Sequence, residues 1–248
     1  RIKKDFQHVR TGTKVAEMTE TEGRIQVVFK GDYEGEDAFD KVMVAVGRTP
    51  ITDGVGLGNT EIELTDRGFI SVDDRQRTAE ENIFAIGDVA GEPMLAHKGT
   101  FEARVAAAVA SGRNEAADAR VIPAVVFADP EIAWCGLTES EAEESDRDVK
   151  VTRFPWAASG RAATLSRRDG LTKLICDPES GRLLGAGIAG VGAGELIAEA
   201  ALAIEMGAVA DDLALTVHTH PTLSETLMEA AQAFSGRSTH YTPDQPKS

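Results

Sequence analysis

The sequence predicts an α/β segment followed by an antiparallel α+β domain, and three observations carry that reading. An apolar run, Ile83–Ile86, ends in Gly87-Asp88 and is followed by the Ala-rich stretch Phe101–Val109, the strand, turn and helix order of an α/β unit. Beyond Ala124, short apolar runs neighbour one another with helical stretches interspersed, as in an antiparallel sheet that carries helices. Upstream of both, Arg10–Phe29 alternates in hydropathy between Gly12, Gly23 and Gly31, which is the pattern of a hairpin.

Taken in order, the hairpin turns at Thr21, Glu22 and Gly23. A third strand is expected at Lys41–Val46, where KVMVAV is apolar almost throughout, as in a strand buried on both faces of a sheet, and Gly47 to Pro50 end it. The Gly-rich stretch Asp53–Gly58 reads as a hinge. A short strand around Phe69–Val72 precedes Ile83–Ile86, and the helix over Phe101–Val109 ends at Gly112. A charged connector, Arg113–Arg120, leads to strands near Ala124–Phe127, Ile132–Cys135, Val149–Phe154, Leu171–Cys176 and Leu183–Ala189. Helices are expected at Thr138–Ser145, Glu195–Met206 and Thr222–Phe234, and the polar stretch Arg237–Ser248 reads as a frayed tail. The implied boundaries are 1–52, 53–120 and 121–236, with 237–248 as the tail.

Composition narrows the function. The 248 residues hold 26 Lys or Arg against 41 Asp or Glu, a net charge of −15, which argues against nucleic acid as a partner. No apolar run approaches the roughly 18 residues of a membrane span, so no membrane partner is expected. The acidic excess repels itself unless screened, which fits either the salt-rich cytoplasm of a halophile or an ordinary acidic cytoplasmic protein. The chain opens on Arg1, without an initiator Met or targeting segment, and reads as a piece of something longer. Its two cysteines, Cys135 and Cys176, have no Cys or His at metal-ligand spacing, so neither a disulfide scaffold nor a zinc module is expected.

Three constellations carry chemistry. Asp88 follows a buried strand and a Gly87 turn, the place where open α/β sheets bind ligands, and its carboxylate can accept bonds from sugar-like hydroxyls; a plain turn is the competing reading. Pro93 to His97 precede the next helix, whose first free N–H groups favour an anion. In His218-Thr-His220-Pro-Thr-Leu-Ser-Glu225, two histidines at spacing two lack a third metal ligand. Thr222 and Glu225 match a capping box, with Thr222 as N-cap. The alternative is a His220–Glu225 dyad, in which the carboxylate fixes the tautomer and raises the basicity of the other ring nitrogen. A formal G-x-G-x-x-G at Gly185–Gly190 is a decoy: the glycines run on to Gly192 and Gly194, the helix starts too late and no second βα unit follows, so it reads as a strand entering a Gly-rich turn.

Together these stretches resemble a known family. AVGRTP at Ala45–Pro50, IFAIGD ending at Asp88, MLAHKG at Met94–Gly99, the turn Ala133-Trp-Cys-Gly136, GAGE at Gly192–Glu195 and HTHPTLSE at His218–Glu225 resemble the dihydrolipoamide dehydrogenases, among the flavoprotein pyridine-nucleotide disulfide oxidoreductases. The match runs in order from about Arg10 to Phe234, and the doubled-histidine motif sets it apart from the glutathione and mercuric reductases. The resemblance implies the cofactors FAD and NAD: Gly47 beside NAD, Asp88 on the FAD ribitol, and Met94, Leu95, Ala96 and His97 at the pyrimidine side of the flavin. It implies His220 as the base that takes a proton from dihydrolipoamide and Glu225 as its orienting partner. It also implies a homodimer that serves a lipoyl domain of a 2-oxoacid dehydrogenase complex or glycine cleavage system. In fold terms it implies the end of a nucleotide-binding domain (1–52), a central FAD-contacting segment (53–120) and a dimerisation domain (121–236). The family's FAD-binding G-x-G-x-x-G, redox C-x-x-x-x-C and NAD-binding G-x-G-x-x-G are absent, so the chain corresponds to the C-terminal half. Other disulfide reductases of the same fold, and a non-catalytic dimerisation module, are the alternatives.

Overall fold

The computed structural model describes residues 2–242, which divide into two compact units on either side of the Thr49–Pro50 boundary. In the first, the expected hairpin forms as β1 (Thr13–Thr21) and β2 (Arg24–Gly31), turning at Glu22-Gly23. The third strand is β3 (Gly35–Phe39), antiparallel to β2, and not Lys41–Val46. The guanidinium of Arg10 lies 3.8 Å from the Tyr33 ring centroid and 4.8 Å from that of Phe29, fastening the segment before β1 across the sheet. Residues 41–46 lie outside both sheets and are exposed, Met43 at 90% and Val46 at 93%. A strand of that composition needs partners on both edges and cover on both faces, and the described residues supply neither.

In the second unit, Phe69–Val72 and Ile83–Ile86 form only isolated bridges, Leu64 to Ile70 and Arg77 to Phe84. Ile83 and Ile86 are exposed for the same want of neighbouring strands, although Ala85 is buried. The following helix, α1 (Ala96–Ala110), begins five residues earlier than its Ala-rich core suggested, so that Ala96 and His97 are helical. Its inward face is unusual for a helix of this composition, since Lys98 and Glu102 are buried on it beside Val105 and Val109.

The C-terminal sheet is antiparallel throughout, in the order β4 (Ala124–Val126), β5 (Ile132–Gly136), β8 (Leu183–Ala189), β7 (Leu171–Cys176) and β6 (Lys150–Pro155). Helix α2 (Glu139–Glu144) follows β5, capped by the Thr138–Glu141 box, and α3 (Gly160–Thr164) is capped by Ser159. The helices α4 (Ala193–Met206) and α6 (Glu225–Phe234) pack on the sheet, joined by the short α5 (Ala210–Leu215). Leu174, Ile188 and Leu183 from the sheet meet Ile197, Leu227 and Ala230 from the helices. The formal G-x-G-x-x-G lies along β8 and its end: a Cβ at Gly185 would sit 1.9 Å from the Leu137 carbonyl oxygen, so this glycine serves close packing of neighbouring backbones.

A buried polar chain sets α6 on the sheet. The Trp156 indole N–H donates to Thr172 Oγ1 at 3.0 Å; Thr172 then donates to Thr226 Oγ1 at 2.8 Å, and Thr226 to the Leu223 carbonyl at 2.7 Å. The direction is forced, because indole only donates and a carbonyl only accepts. Every member is satisfied, which fixes the start of α6 and the loop that enters it.

Candidate active site

The loop from Thr216 to Ser224 joins α5 to α6 and presents His220, whose side chain is 72% exposed. Its Nδ1 lies 2.9 Å from Glu225 Oε1, and because an ionised carboxylate only accepts, Nδ1 donates. The basic nitrogen is then Nε2. The other Glu225 oxygen accepts the Thr222 N–H at 2.7 Å, so both carboxylate oxygens are committed and the imidazole is held in one tautomer. The helix begins at Glu225 and not at Thr222; the Thr222 hydroxyl bonds Thr219 O and Ser224 Oγ instead of capping. Half of the capping box survives, as the bond from the Thr222 N–H to Glu225 Oε2, and the other carboxylate oxygen serves His220.

A second histidine–glutamate pair shares the cavity beside this dyad, a space of about 180 Å³ lined by Phe154, Ser159, His220, Glu225, Glu229 and His240 among others. Glu229, one turn after Glu225 on α6, is buried and accepts from Ser238 Oγ, the N–H groups of Thr239 and His240, and His240 Nδ1. Burial opposes its ionisation, but the bonds from Ser238 and His240 outweigh that and hold its carboxyl below the usual carboxylate range. Tyr241 packs edge-on against Phe154. The start of the expected frayed tail is therefore docked through residue 241, and residues 243–248 lie outside the described residues. Glu229 and His240 were not singled out by the sequence; a glutamate facing a histidine eleven positions away follows no local pattern.

Around Asp88 a different device operates. Gly87–Val89 form a 3-10 turn with Gly87 at φ 72°, and the exposed Asp88 stands at its centre. The buried Lys98 ammonium donates to Gly87 O, Gly91 O and Glu102 Oε1, each at 2.9 Å, while Glu102 Oε2 accepts the Gly87 N–H at 2.7 Å. One ion pair on α1 thus grips the two peptide groups that flank Gly87, the residue before Asp88. Met94 and Leu95 lead into α1, whose N-cap, Leu95, offers no side-chain acceptor to the first-turn N–H groups at Ala96 and His97. The His97 ring donates from Nε2 to Pro123 O at 2.6 Å, tying α1 to the approach of β4. Gly47, in the first unit, is exposed with φ 134°.

The cysteines are not in chemical play. Burial pushes the Cys135 thiol up to about 12 and the Cys176 thiol up to about 11, so both are inert thiols at neutral pH. Among the described residues no cluster of three or more His, Cys, Asp or Glu is placed to hold a metal ion, and no helix is long and apolar enough to cross a membrane.

The pyridine nucleotide-disulphide oxidoreductase model matches residues 3–103, and the dimerisation-domain model of that name matches residues 122–231. The chain belongs to the pyridine nucleotide-disulphide oxidoreductase family. Dihydrolipoyl dehydrogenase of Thermus scotoductus is 47% identical over 242 residues, 96% of this chain and 52% of that protein. That of Haloferax volcanii is 51% identical over 208 residues, 84% of this chain and 44% of that protein. Among solved structures, LpdA from Mycobacterium tuberculosis superposes with a TM-score of 0.79 at 27% identity, covering 89% of this chain and 48% of that one. The flavoprotein disulfide reductase RclA from Escherichia coli gives 0.78 at 30%, covering 88% and 50%. The chain therefore spans about half the length of the curated relatives it matches.

Proposed function

We propose that this chain is the C-terminal half of a dihydrolipoamide dehydrogenase, in which His220 is the general base and Glu225 orients it. The observation that carries the reading is the exposed imidazole with Nδ1 committed to Glu225 and Nε2 left as the proton acceptor. His220 Nε2 takes a proton from one thiol of dihydrolipoamide, because the thiolate is the competent nucleophile in disulfide exchange. That thiolate attacks one sulfur of the parent enzyme's redox disulfide and the other sulfur leaves as a thiolate; the second substrate thiol gives its proton to that thiolate and attacks the substrate sulfur of the mixed disulfide, closing the dithiolane and releasing the first enzyme sulfur as a thiolate. Neither Cys135 nor Cys176 is part of that disulfide, since both are buried and protonated.

Two features fit FAD: the uncapped N-terminus of α1, which favours negative charge, and the Asp88 carboxylate on its clamped turn. Asp88 would hold the ribitol, and Met94 to His97 would meet the pyrimidine side; Gly47 would lie beside NAD. Bound FAD and NAD supply the acceptors for the electron pair. In this reading residues 1–52 close the NAD domain, 53–120 contact FAD and 121–236 dimerise. A homodimer, in the cytoplasm, would serve a lipoyl domain of a 2-oxoacid dehydrogenase complex or of a glycine cleavage system, with His220 reaching the disulfide of the other subunit.

The test is His220→Gln in the full-length protein. Lipoamide turnover is expected to fall by about 10²–10⁴, the usual worth of general acid–base catalysis, with FAD content unchanged. Glu225→Gln should lower it less, since only orientation and basicity are lost. Undiminished turnover in His220→Gln would overturn the assignment.

A further inference from the structure

The loop that carries His220 has a second histidine, and its side chain is only 5% exposed. Both ring nitrogens of His218 are engaged: Nδ1 lies 2.9 Å from the Thr216 carbonyl oxygen, and Nε2 lies 2.7 Å from Glu199 Oε1 on α4. A carbonyl only accepts, so Nδ1 carries a proton. An ionised carboxylate also only accepts, so the contact at Nε2 holds a second proton, on the ring or on the carboxyl. Without that proton, two lone pairs would face each other at 2.7 Å. Acceptors on both sides thus engage both ring nitrogens and leave neither for a substrate. His218 is built as an anchor and not as a second base.

The anchor's other end is firm. Glu199 stands on α4, which is seated in the core through Ile197, Ala200, Ala203 and Ile204. Alternate residues of one short loop are thereby tied to two different helices, His218 to α4 and His220 to α6. The end of the loop is held by the Thr226–Leu223 bond and its start by Thr216 Oγ1 donating to Asp212 O, but the residues on either side of the two histidines, Val217, Thr219 and Pro221, are exposed.

We propose that His218 and Glu199 form a positioning pair for the base: they hold the loop so that His220 Nε2 meets the substrate thiol. The proposal rests on the reading of His220 as the base. Misplacing a reacting group by about 1 Å can cost 10²-fold in rate, so a loop held by one tether where two are needed is a kinetic defect without being a folding defect.

The experiment uses the full-length flavoenzyme with His218→Ala, Glu199→Ala and Glu199→Gln, each alone and combined with His220→Gln. Alone, His218→Ala and Glu199→Ala are expected to lower lipoamide kcat by about 10- to 100-fold, with FAD absorbance and the KM for NAD unchanged. Glu199→Gln should restore most of the loss, because its amide N–H can donate to Nε2 of a neutral ring whose Nδ1–H still reaches Thr216. In the His220→Gln background the same substitutions should cost no more than about twofold, since no base remains to be placed. Wild-type turnover in Glu199→Ala would overturn the proposal. So would damage in Glu199→Gln equal to that in Glu199→Ala, or losses that multiply in the His220→Gln background, the mark of a role apart from the base. If His218→Ala fails to retain FAD, the two Glu199 variants, which leave the ring in place, decide the matter. If His220→Gln itself turns over normally, the base assignment falls and this proposal with it; a defective His220→Gln beside an unaffected Glu199→Ala overturns the positioning pair alone.

Discussion

Lys98→Met removes the ammonium that grips the Asp88 turn while keeping much of the side chain's volume. Three acceptors lose their donor: Gly87 O, Gly91 O and Glu102 Oε1. Glu102 keeps only the Gly87 N–H and becomes a buried carboxylate without a counter-charge. Breaking such a pair costs about 3–5 kcal/mol, most of it from the stranded charge and not from the lost attraction. Urea unfolding of the full-length protein, followed by fluorescence, should show the loss as a lower midpoint. FAD should also wash out more readily, because the turn that would hold its ribitol is no longer pinned. Adding Glu102→Gln keeps an acceptor for Gly87 but discards the charge, so the double variant should regain about 1–3 kcal/mol over Lys98→Met. Stability within about 0.5 kcal/mol of wild type for Lys98→Met, as for a surface change, would refute the argument. So would a double variant no better than the single one.

Other consequences can be checked in the same preparation. Cys135 and Cys176, with thiols pushed up to about 12 and 11, should resist a thiol reagent at pH 8 in the folded protein and react in urea; prompt labelling of the folded chain would contradict their burial. Glu229 has a folded value below its unfolded one, so its stabilisation is complete above the ordinary carboxyl range and is lost as pH falls through the lower folded value. Glu229→Gln should therefore flatten the acid limb of the stability curve and loosen residues 238–241, measured by proteolysis near the C-terminus. With a net charge of −15, the full-length protein should melt at a higher temperature above 1 M salt than at about 0.05 M, and a flat or falling profile would mean that repulsion is not limiting.

Local patterns were legible where local physics decides. Leu171–Cys176 and Leu183–Ala189 read as strands from their apolar runs and form with those bounds, because each finds its partner within the same sheet. The family motif pointed to His220 and Glu225, and the structure brings them to 2.9 Å. The capping-box pattern places the helix start at Thr222, but the helix starts at Glu225 because Thr222 spends its hydroxyl on Thr219 and Ser224. Lys41–Val46 reads as a buried strand, yet burial depends on neighbours that the described residues do not provide. Glu199, Glu229 and the Lys98–Glu102 clamp leave no local signal in the sequence. Each matters through a partner chosen by packing: Glu199 meets a histidine 19 positions on, and Lys98 grips a turn 11 and 7 positions back.

The exposed run at 42–46 has a practical side. VMVAV joins high β-propensity to an absence of charge, proline and glycine, which is the composition from which steric zippers are made. With its backbone outside both sheets, it is a ready template for edge-to-edge pairing between copies. Protein made from this stretch of sequence alone therefore carries its own seed for aggregation, and a charged residue placed at Val44 would act as a gatekeeper against it.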